Sequence, residues 1–210
     1  MKPVTDTPLL AALRPDLALV AEMVEPGSRV LDIGCEDGAL LEALVREKAV
    51  TGRGLELSQA GVNASVRRGL SVIQGDADRD LADYPDQAFD YVVLSQTLPA
   101  TRAPDQVLEA LVRIGQRAIV SFANFGYWRV RLHLALQGRM PMTSALSRPW
   151  YATDNIHLCT IRDFITLCER MEIQVERALS LDSHQRPRAI ISRRHANIFG
   201  ETGLFLLSKR

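Results

Sequence analysis

The sequence has few of the features that mark disulfide-rich, metal-binding or membrane-spanning proteins. Its three cysteines, Cys35, Cys159 and Cys168, are an odd number, and no two have the CxxC spacing of a zinc or redox motif. No segment approaches the roughly 20 apolar residues of a membrane span, and the first residues lack the long apolar core of a signal peptide. We therefore expect a cytoplasmic protein without disulfides, a metal site or membrane contact.

An excess of charge of either sign is also absent, because 25 lysines and arginines balance 25 acidic residues. Bulk electrostatics therefore favour neither nucleic acid nor a membrane surface. One basic segment leaves nucleic-acid contact open as an alternative, but no aromatic residue for base stacking lies among its charges. A solvated or partner-facing loop is the favoured interpretation of this segment, which contains Arg186, Arg188, Arg193, Arg194 and His195.

The chain is built like an ordinary globular protein. It has 210 residues, of which 47% are hydrophobic and 24% charged. This length suits a single domain over residues 1–210. We expect residues 1–25 to form a helical segment that packs on it.

Hydrophobic periodicity predicts strands that alternate with helices along most of the chain. Such alternation is typical of a mostly parallel sheet covered by helices on both faces, a Rossmann-like, doubly wound α/β fold with three layers. The predicted strands are 29–34, 50–57, 70–74, 89–94, 117–122, 173–181 and 204–208. The predicted helices are 9–24, 39–48, 59–68, 104–114, 126–136 and 161–171.

The turn after the first predicted strand carries the strongest functional signal. Asp32, Gly34 and Gly38 surround it, with Cys35 inside it. Glycine lets the backbone approach a ligand, and the following helix N-terminus favours an anionic group. The pattern is not the GxGxxG of a pyrophosphate site, because acidic residues occupy two of the glycine positions. S-adenosylmethionine (SAM), with a sulfonium, an ammonium and one carboxylate, suits acidic surroundings better.

Acidic and polar residues also follow the next three predicted strands, where ligands of such folds bind. Glu56 ends the second strand beside Leu57, and an acid there commonly accepts hydrogen bonds from ribose hydroxyls. Asp76 and Ala77 follow the third strand, where they are expected to meet the adenine. The residues expected near the methionine part of SAM, after the fourth strand, are Ser95 and Gln96. Each signal alone also fits an ordinary turn or helix cap, but their order along the chain favours a SAM-type nucleoside site.

With these residues, the chain resembles the methionine biosynthesis protein MetW family, within the class I SAM-dependent methyltransferase superfamily. The superfamily part of the resemblance is the turn, Glu56 and Asp76. The more specific part lies in segments 89–98, 121–129, 138–141 and 155–164. The resemblance implies a seven-stranded sheet with one antiparallel strand near its edge, and SAM or S-adenosylhomocysteine (SAH) as the ligand. It also implies a role in methionine biosynthesis beside a homoserine O-acyltransferase.

One departure from the family pattern lies in the turn itself. The family usually reads Gly-Cys-Gly-Asp-Gly there, and Glu36 replaces the middle glycine. If this position needs a positive φ, Glu36 is strained. Its carboxylate would also compete with the SAM carboxylate for the N–H groups of the turn. We therefore predict that Glu36 weakens SAM binding.

Two functions remain open at this point. The first is methyl transfer to an unidentified small acceptor, with His157, Asn124 and Tyr127 as candidate catalytic residues near the mouth of the site; each equally fits a structural role. The second is a non-catalytic module that senses SAM or SAH and regulates the acyltransferase. The aromatic and basic residues that suit a partner surface are Tyr127, Trp128, Arg129, Arg131, Trp150 and Tyr151.

Overall fold

The computed structural model describes residues 8–210. Positions 1–7 of the predicted N-terminal helical segment therefore lie outside the described residues. The strands are β1 (Arg29–Ile33), β2 (Thr51–Glu56), β3 (Val72–Gln74), β4 (Phe89–Ser95), β5 (Gly115–Ala123), β6 (Ile173–Leu181), β7 (Pro187–Ala189) and β8 (Thr202–Lys209). The helices are α1 (Leu9–Ala12), α2 (Pro15–Met23), α3 (Ala39–Lys48), α4 (Gln59–Arg67), α5 (Ala77–Asp80), α6 (Pro104–Ile114), α7 (Trp128–Gln137), α8 (Ile161–Arg170) and α9 (Arg193–Phe199). Short 3-10 turns lie at Leu81–Asp83 and Leu98–Ala100.

The strands of the described residues form one sheet in the order β3-β2-β1-β4-β5-β8-β6-β7. Pairing is parallel from β3 to β5, and β8 runs antiparallel between β5 and β6. The predicted α/β class and mostly parallel sheet are confirmed. The predicted strand count was wrong, because the short edge strand β7 brings it to eight and adds a second antiparallel strand.

Two other local predictions also differ from the structure. The predicted helix 9–24 is divided at Leu13 and Arg14, whose backbones are extended, because the residue before Pro15 is pushed out of helical geometry. The predicted basic loop is ordered instead as β7 and α9, and Ser192 caps α9 by accepting the His195 N–H. Short elements of this kind carry too few periodic residues to be predicted.

Alternating side chains of the sheet pack into two apolar cores. On one face, Val92 and Leu94 lie in a cluster with residues of α6 and α8, including Leu111. On the other face, Tyr91 and Val93 lie in a cluster with residues of α2 and α3. The result is a three-layer arrangement in which the carboxyl ends of the parallel strands open at one edge. None of the helices within residues 8–210 has the length and apolar character needed to cross a membrane.

Candidate nucleoside-binding site

The turn between β1 and α3 depends on glycine at both ends. Gly34 has φ of 71°, and a Cβ built on it would lie 2.6 Å from Thr97 Oγ1. Gly38 has φ of 77°, and its Cβ would lie 2.5 Å from Leu70 Cδ1. Both the left-handed conformation and the close contacts therefore disfavour larger residues at these positions.

Glu36 adopts the left-handed conformation that the departure from the family pattern suggested, with φ of 50°. A non-glycine residue in this region is strained. A backbone N–H group in the first turn of α3 is nevertheless bound by Asp37, the residue after Glu36. The Ala39 N–H donates to Asp37 Oδ1 at 3.2 Å. Asp37 Oδ2 in turn accepts a hydrogen bond from Arg68 at 2.6 Å. The expected competition for the helix N-terminus thus comes from Asp37 rather than from Glu36.

Glu56 links the turn to the end of β2. Its buried carboxylate accepts the Glu36 N–H at 3.0 Å and the Ser58 N–H at 2.9 Å. A Cβ at Gly61 would lie only 2.7 Å from Glu56 Cγ, so the first turn of α4 packs directly on this side chain. Each carboxylate oxygen has a second lone pair, which leaves Glu56 able to accept hydrogen bonds from a pair of ribose hydroxyls.

Negative charge is concentrated beneath the turn. Burial raises the pKa of Asp32 to about 7, with further contributions from the nearby charges of Glu36 and Glu56. Burial, followed by the charge of Asp32, also raises the pKa of the Cys35 thiol to about 12. Cys35 is therefore a neutral packing group, whereas the three acids favour a cationic ligand group such as the ammonium of SAM or SAH.

The residues after β3 form a third wall of the site. Asp76 Oδ1 accepts the Asp78 N–H at 3.0 Å, and the Asp76 N–H donates to Asp80 at 2.7 Å. Asp78 in turn accepts the backbone N–H groups of Arg102 and Ala103. This network fixes Asp76 and Ala77 at the cavity edge, where a carboxylate can meet an amino group.

The end of β4 is held by Ser121 of the neighbouring strand β5. Gln96, with φ of 57°, donates its backbone N–H to the Ser121 carbonyl at 2.9 Å. Ser95 Oγ lies 3.0 Å from Ser121 Oγ. Gln96 therefore turns toward the cavity while the Ser95 hydroxyl is engaged between strands.

These residues surround an open cavity of about 1360 Å³ at the carboxyl edge of the sheet. Its outer wall is formed by residues 138–158, a segment that we call the strap. The predicted binding residues that do not line the cavity are Asp32, Cys35, Gly38 and Ser95. The predicted binding residues that line the cavity are Gly34, Glu56, Leu57, Asp76, Ala77 and Gln96. The arrangement thus offers acceptors for hydroxyl and amino groups, an apolar surface and a negative environment, which fit the groups of SAM.

The three candidate catalytic residues do not line this cavity. Tyr127 is buried in a small cluster with Val130 and Leu146. His157 is exposed, with Nε2 3.4 Å from the Arg102 carbonyl.

Asn124 has a buried amide whose two ends are both engaged. Its Nδ2 donates to the carbonyls of Asn197 and Gly200 at 3.0 and 2.7 Å. Its Oδ1 accepts the N–H groups of Gly126 and Ile161 at 2.9 and 3.1 Å. The side chain therefore joins the end of β5 to α8 and α9.

Several cavity residues were not predicted from the sequence. Arg14 and Asp16 at the start of α2 line the cavity, as do Thr97 and Arg102. Most of the strap was also missed. The available signal was the family resemblance, because its segment 89–98 includes Thr97 and its segments 138–141 and 155–164 include the two ends of the strap. Within residues 8–210, no group of histidine, cysteine and acidic side chains has the geometry of a metal site.

Comparison with known families assigns the chain. The family model described as "Methionine biosynthesis protein MetW" matches residues 14–207. A bifunctional methionine biosynthesis protein MetXA/MetW from Rhodopirellula baltica is 32% identical over 185 residues. The match covers 84% of this chain but only 30% of that relative, so the chain spans less than a third of its length.

Several solved structures share this fold, although they belong to proteins of different description. A SAM-dependent methyltransferase from Mesorhizobium loti superposes with a TM-score of 0.68 at 18% identity, covering 94% of this chain and 99% of the other. The [4+2]-cyclase SpnF superposes with a TM-score of 0.64 at 18% identity, covering 92% and 80%. At this identity the similarity establishes the methyltransferase fold alone.

Proposed function

The chain belongs to the MetW family of methionine biosynthesis proteins, and we propose that it binds SAM or SAH and acts as an accessory, regulatory subunit of a homoserine O-acyltransferase. The observation that carries the ligand is the convergence of four strand ends on one cavity. Gly34, Glu56, Asp76 and Gln96 lie at or just after the ends of β1, β2, β3 and β4, respectively, and all four line the cavity.

The chemistry of these residues supports a nucleoside with a cationic tail. Glu56 faces the position expected for ribose hydroxyls, and Asp76 that of the adenine amino group. Asp32, Glu36 and Glu56 provide negative charge near the turn. A pyrophosphate would be repelled by the same charges, which favours SAM or SAH over a dinucleotide.

Two observations favour regulation over catalysis. None of the three candidate catalytic residues, Asn124, Tyr127 and His157, lines the cavity, so none of them is placed to position an acceptor there. The relative from Rhodopirellula baltica combines MetXA and MetW in one protein, which supports joint action of the two units. SAM is made from methionine, so the amount of SAM bound to this protein would rise and fall with the methionine that the pathway produces.

The test is calorimetric titration of the purified protein with SAM, SAH and NAD. We expect SAM and SAH to bind and NAD not to bind. Glu56→Gln, which keeps the shape but removes the charge, should weaken binding at least about tenfold, as expected for a charged hydrogen-bonding group. Glu109→Gln on the exposed face of α6 is the matched control and should bind normally. Tight NAD binding, or normal SAH binding by Glu56→Gln, would contradict the proposed site.

The regulatory role needs a second assay. The activity of the homoserine O-acyltransferase from the same organism should change when this protein is added, and SAH should alter that effect. An acyltransferase whose rate is the same with and without the protein, at saturating concentrations of both, would refute the regulatory proposal.

Methyl transfer is the second candidate, and the size of the cavity favours it. A volume of about 1360 Å³ exceeds the roughly 300–1,000 Å³ of ordinary ligand sites, which leaves room for an acceptor beside the nucleoside. Methyl transfer requires mainly positioning, so a base is not essential. Catalysis would appear as SAH formed from SAM in proportion to protein when a small-molecule extract of the source cells is added. SAH release that stays at the rate without protein would exclude it for those acceptors.

A further inference from the structure

Helix α7 lies on the surface with most of its apolar side chains in solvent. Trp128, Leu132 and Leu136 are 39%, 47% and 75% exposed, whereas Val130 is buried. At 3.6 residues per turn, the three exposed residues are spaced i, i+4 and i+8 and form one stripe on the side opposite Val130. We call this set the docking stripe. An isolated soluble domain gains nothing from such a stripe, because apolar surface in water is unfavourable.

The strap carries further exposed apolar side chains, in the segment that follows α7 in the chain. Met142, Trp150 and Tyr151 are 59%, 70% and 75% exposed. Trp150 and Tyr151 contact each other edge to face, with ring centroids 5.8 Å apart. Exposed apolar side chains of this kind, clustered on a surface, mark protein interaction sites.

The chain segment that carries the stripe has charge of one sign. Residues 110–153 contain no aspartate or glutamate. Arg129 and Arg131 flank the stripe on its two sides, and Arg129 lies over the Trp128 ring at 5.5 Å. Among the described residues, no ion pair includes Arg129, Arg131 or Arg139. A tryptophan and arginines around a desolvated centre are the composition of interaction hot spots.

The charges also indicate which kind of molecule binds the docking stripe. A second copy of the chain, docked stripe to stripe, would bring arginines of both copies together, which is unfavourable. Nucleic acid would satisfy the arginines but leave Leu132, Leu136 and Met142 unmatched. A protein surface with an apolar centre and carboxylates at its rim matches both features.

We propose that the docking stripe is the contact surface for the homoserine O-acyltransferase, through an apolar patch of that enzyme rimmed by acidic residues. This proposal rests on the proposed function. In the Rhodopirellula baltica relative the MetXA and MetW units belong to one protein, so a surface on the MetW unit has that partner constantly beside it. The stripe supplies the apolar core of the contact, and Arg129 and Arg131 supply its polar rim.

The test measures binding of the full chain to the purified homoserine O-acyltransferase of the same organism. Leu132→Glu places a carboxylate in the stripe opposite an acidic rim, and it should raise the Kd by more than about tenfold. Val66→Glu is the matched control, because Val66 is also on a helix surface and is 53% exposed. Arg129→Gln should raise the Kd less and reduce its dependence on salt.

Folding and ligand binding are followed in the same variants. Leu132 does not line the cavity, so Leu132→Glu should keep the thermal unfolding midpoint and SAH affinity of the unaltered protein. A normal Kd for the acyltransferase in Leu132→Glu would show that the docking stripe is not the contact surface, while leaving the proposed function intact. Failure of the unaltered protein to bind the enzyme would overturn both. Self-association or binding to anionic lipid vesicles that is lost in Leu132→Glu, without acyltransferase binding, would assign the stripe to a second copy or a membrane.

Discussion

The carboxylate of Glu56 accepts the backbone N–H of Glu36 at 3.0 Å, so the residue expected to hold ribose also holds the turn that faces the rest of the ligand. Because Glu36 is in the left-handed region, this hydrogen bond stabilises a conformation that glutamate disfavours. The two residues therefore join the geometry of the turn to the proposed nucleoside position.

Glu36→Gly should relieve this strain. We expect SAH to bind several-fold more tightly, since a turn without the strain of about 1–2 kcal/mol of a non-glycine residue keeps this conformation in a larger fraction of the molecules. The measurement is calorimetric titration with SAH. Glu172→Gly is the matched control, because Glu172 also has a positive φ, of 55°, but lies on the surface away from the cavity. Equal SAH affinity for Glu36→Gly and the unaltered protein would contradict the argument.

Asp32 should make the protein less stable as the pH rises. Burial raises the pKa of Asp32 to about 7 in the folded protein, compared with about 3.9 in an unfolded chain. The folded state therefore holds more protons between these values, and the free energy of unfolding should fall from about pH 4 to about pH 7. Asp32→Asn should remove this part of the pH dependence in urea unfolding measurements.

Asp105→Asn on the exposed first turn of α6 is the control for that experiment. It should retain the decline of stability with pH. The same slope in Asp32→Asn and in the control would show that Asp32 is ionised in the folded protein throughout this range.

We expect Asn124 to have a structural role rather than a catalytic one. Removing its amide in Asn124→Ala leaves buried N–H and carbonyl groups of four residues without their partner, at about 1–3 kcal/mol for each unsatisfied group. We expect a loss of at least about 3 kcal/mol in the free energy of unfolding, measured in urea. Asn63→Ala, on the exposed surface of α4, should change stability by less than about 0.5 kcal/mol. A stable Asn124→Ala protein that binds SAH normally but fails in methyl transfer would instead assign Asn124 a catalytic role.

The sequence contained enough signal for the strands of the parallel sheet and for the turn, because both depend on local patterns. Apolar runs ending in glycine or an acid predict where strands stop, and Glu56 and Asp76 follow directly from that placement. The position of Asn124 could be predicted but its role could not, since its partners Asn197 and Gly200 are more than 70 residues away.

The strap could not be predicted for a different reason. Residues 138–158 form no regular helix or strand, so no periodicity marks them. Their position depends on tertiary contacts, such as the donation of the Ile156 and His157 N–H groups to the Pro99 carbonyl at 2.8 and 2.9 Å. The edge strand β7, with three residues, is too short for alternation to be recognised.

The strap should couple the nucleoside to the partner. Its residues Met140, Leu146 and Trp150 line the cavity. Leu146 also lies in one apolar cluster with Val130 of α7, the helix that carries the docking stripe. A ligand that shifts the strap should therefore also shift α7. We expect SAH to change the Kd for the acyltransferase, and the acyltransferase to change the Kd for SAH by the same factor, on the order of 5-fold or more.

The ion pair between Arg148 and Asp154, 2.6 Å apart, bridges two parts of the strap and provides a variant for this coupling. Asp154→Asn should loosen the strap and reduce the coupling factor, while an exposed ion pair contributes too little for overall stability to change by more than about 1 kcal/mol. Asp86→Asn breaks an ion pair with Arg113 away from the strap and should leave the coupling unaltered. Titrations of each ligand with and without the other measure the factor in both directions. A factor of one in the unaltered protein would mean that the cavity and the docking stripe act independently, so that SAH could not regulate the acyltransferase by changing how tightly it is bound.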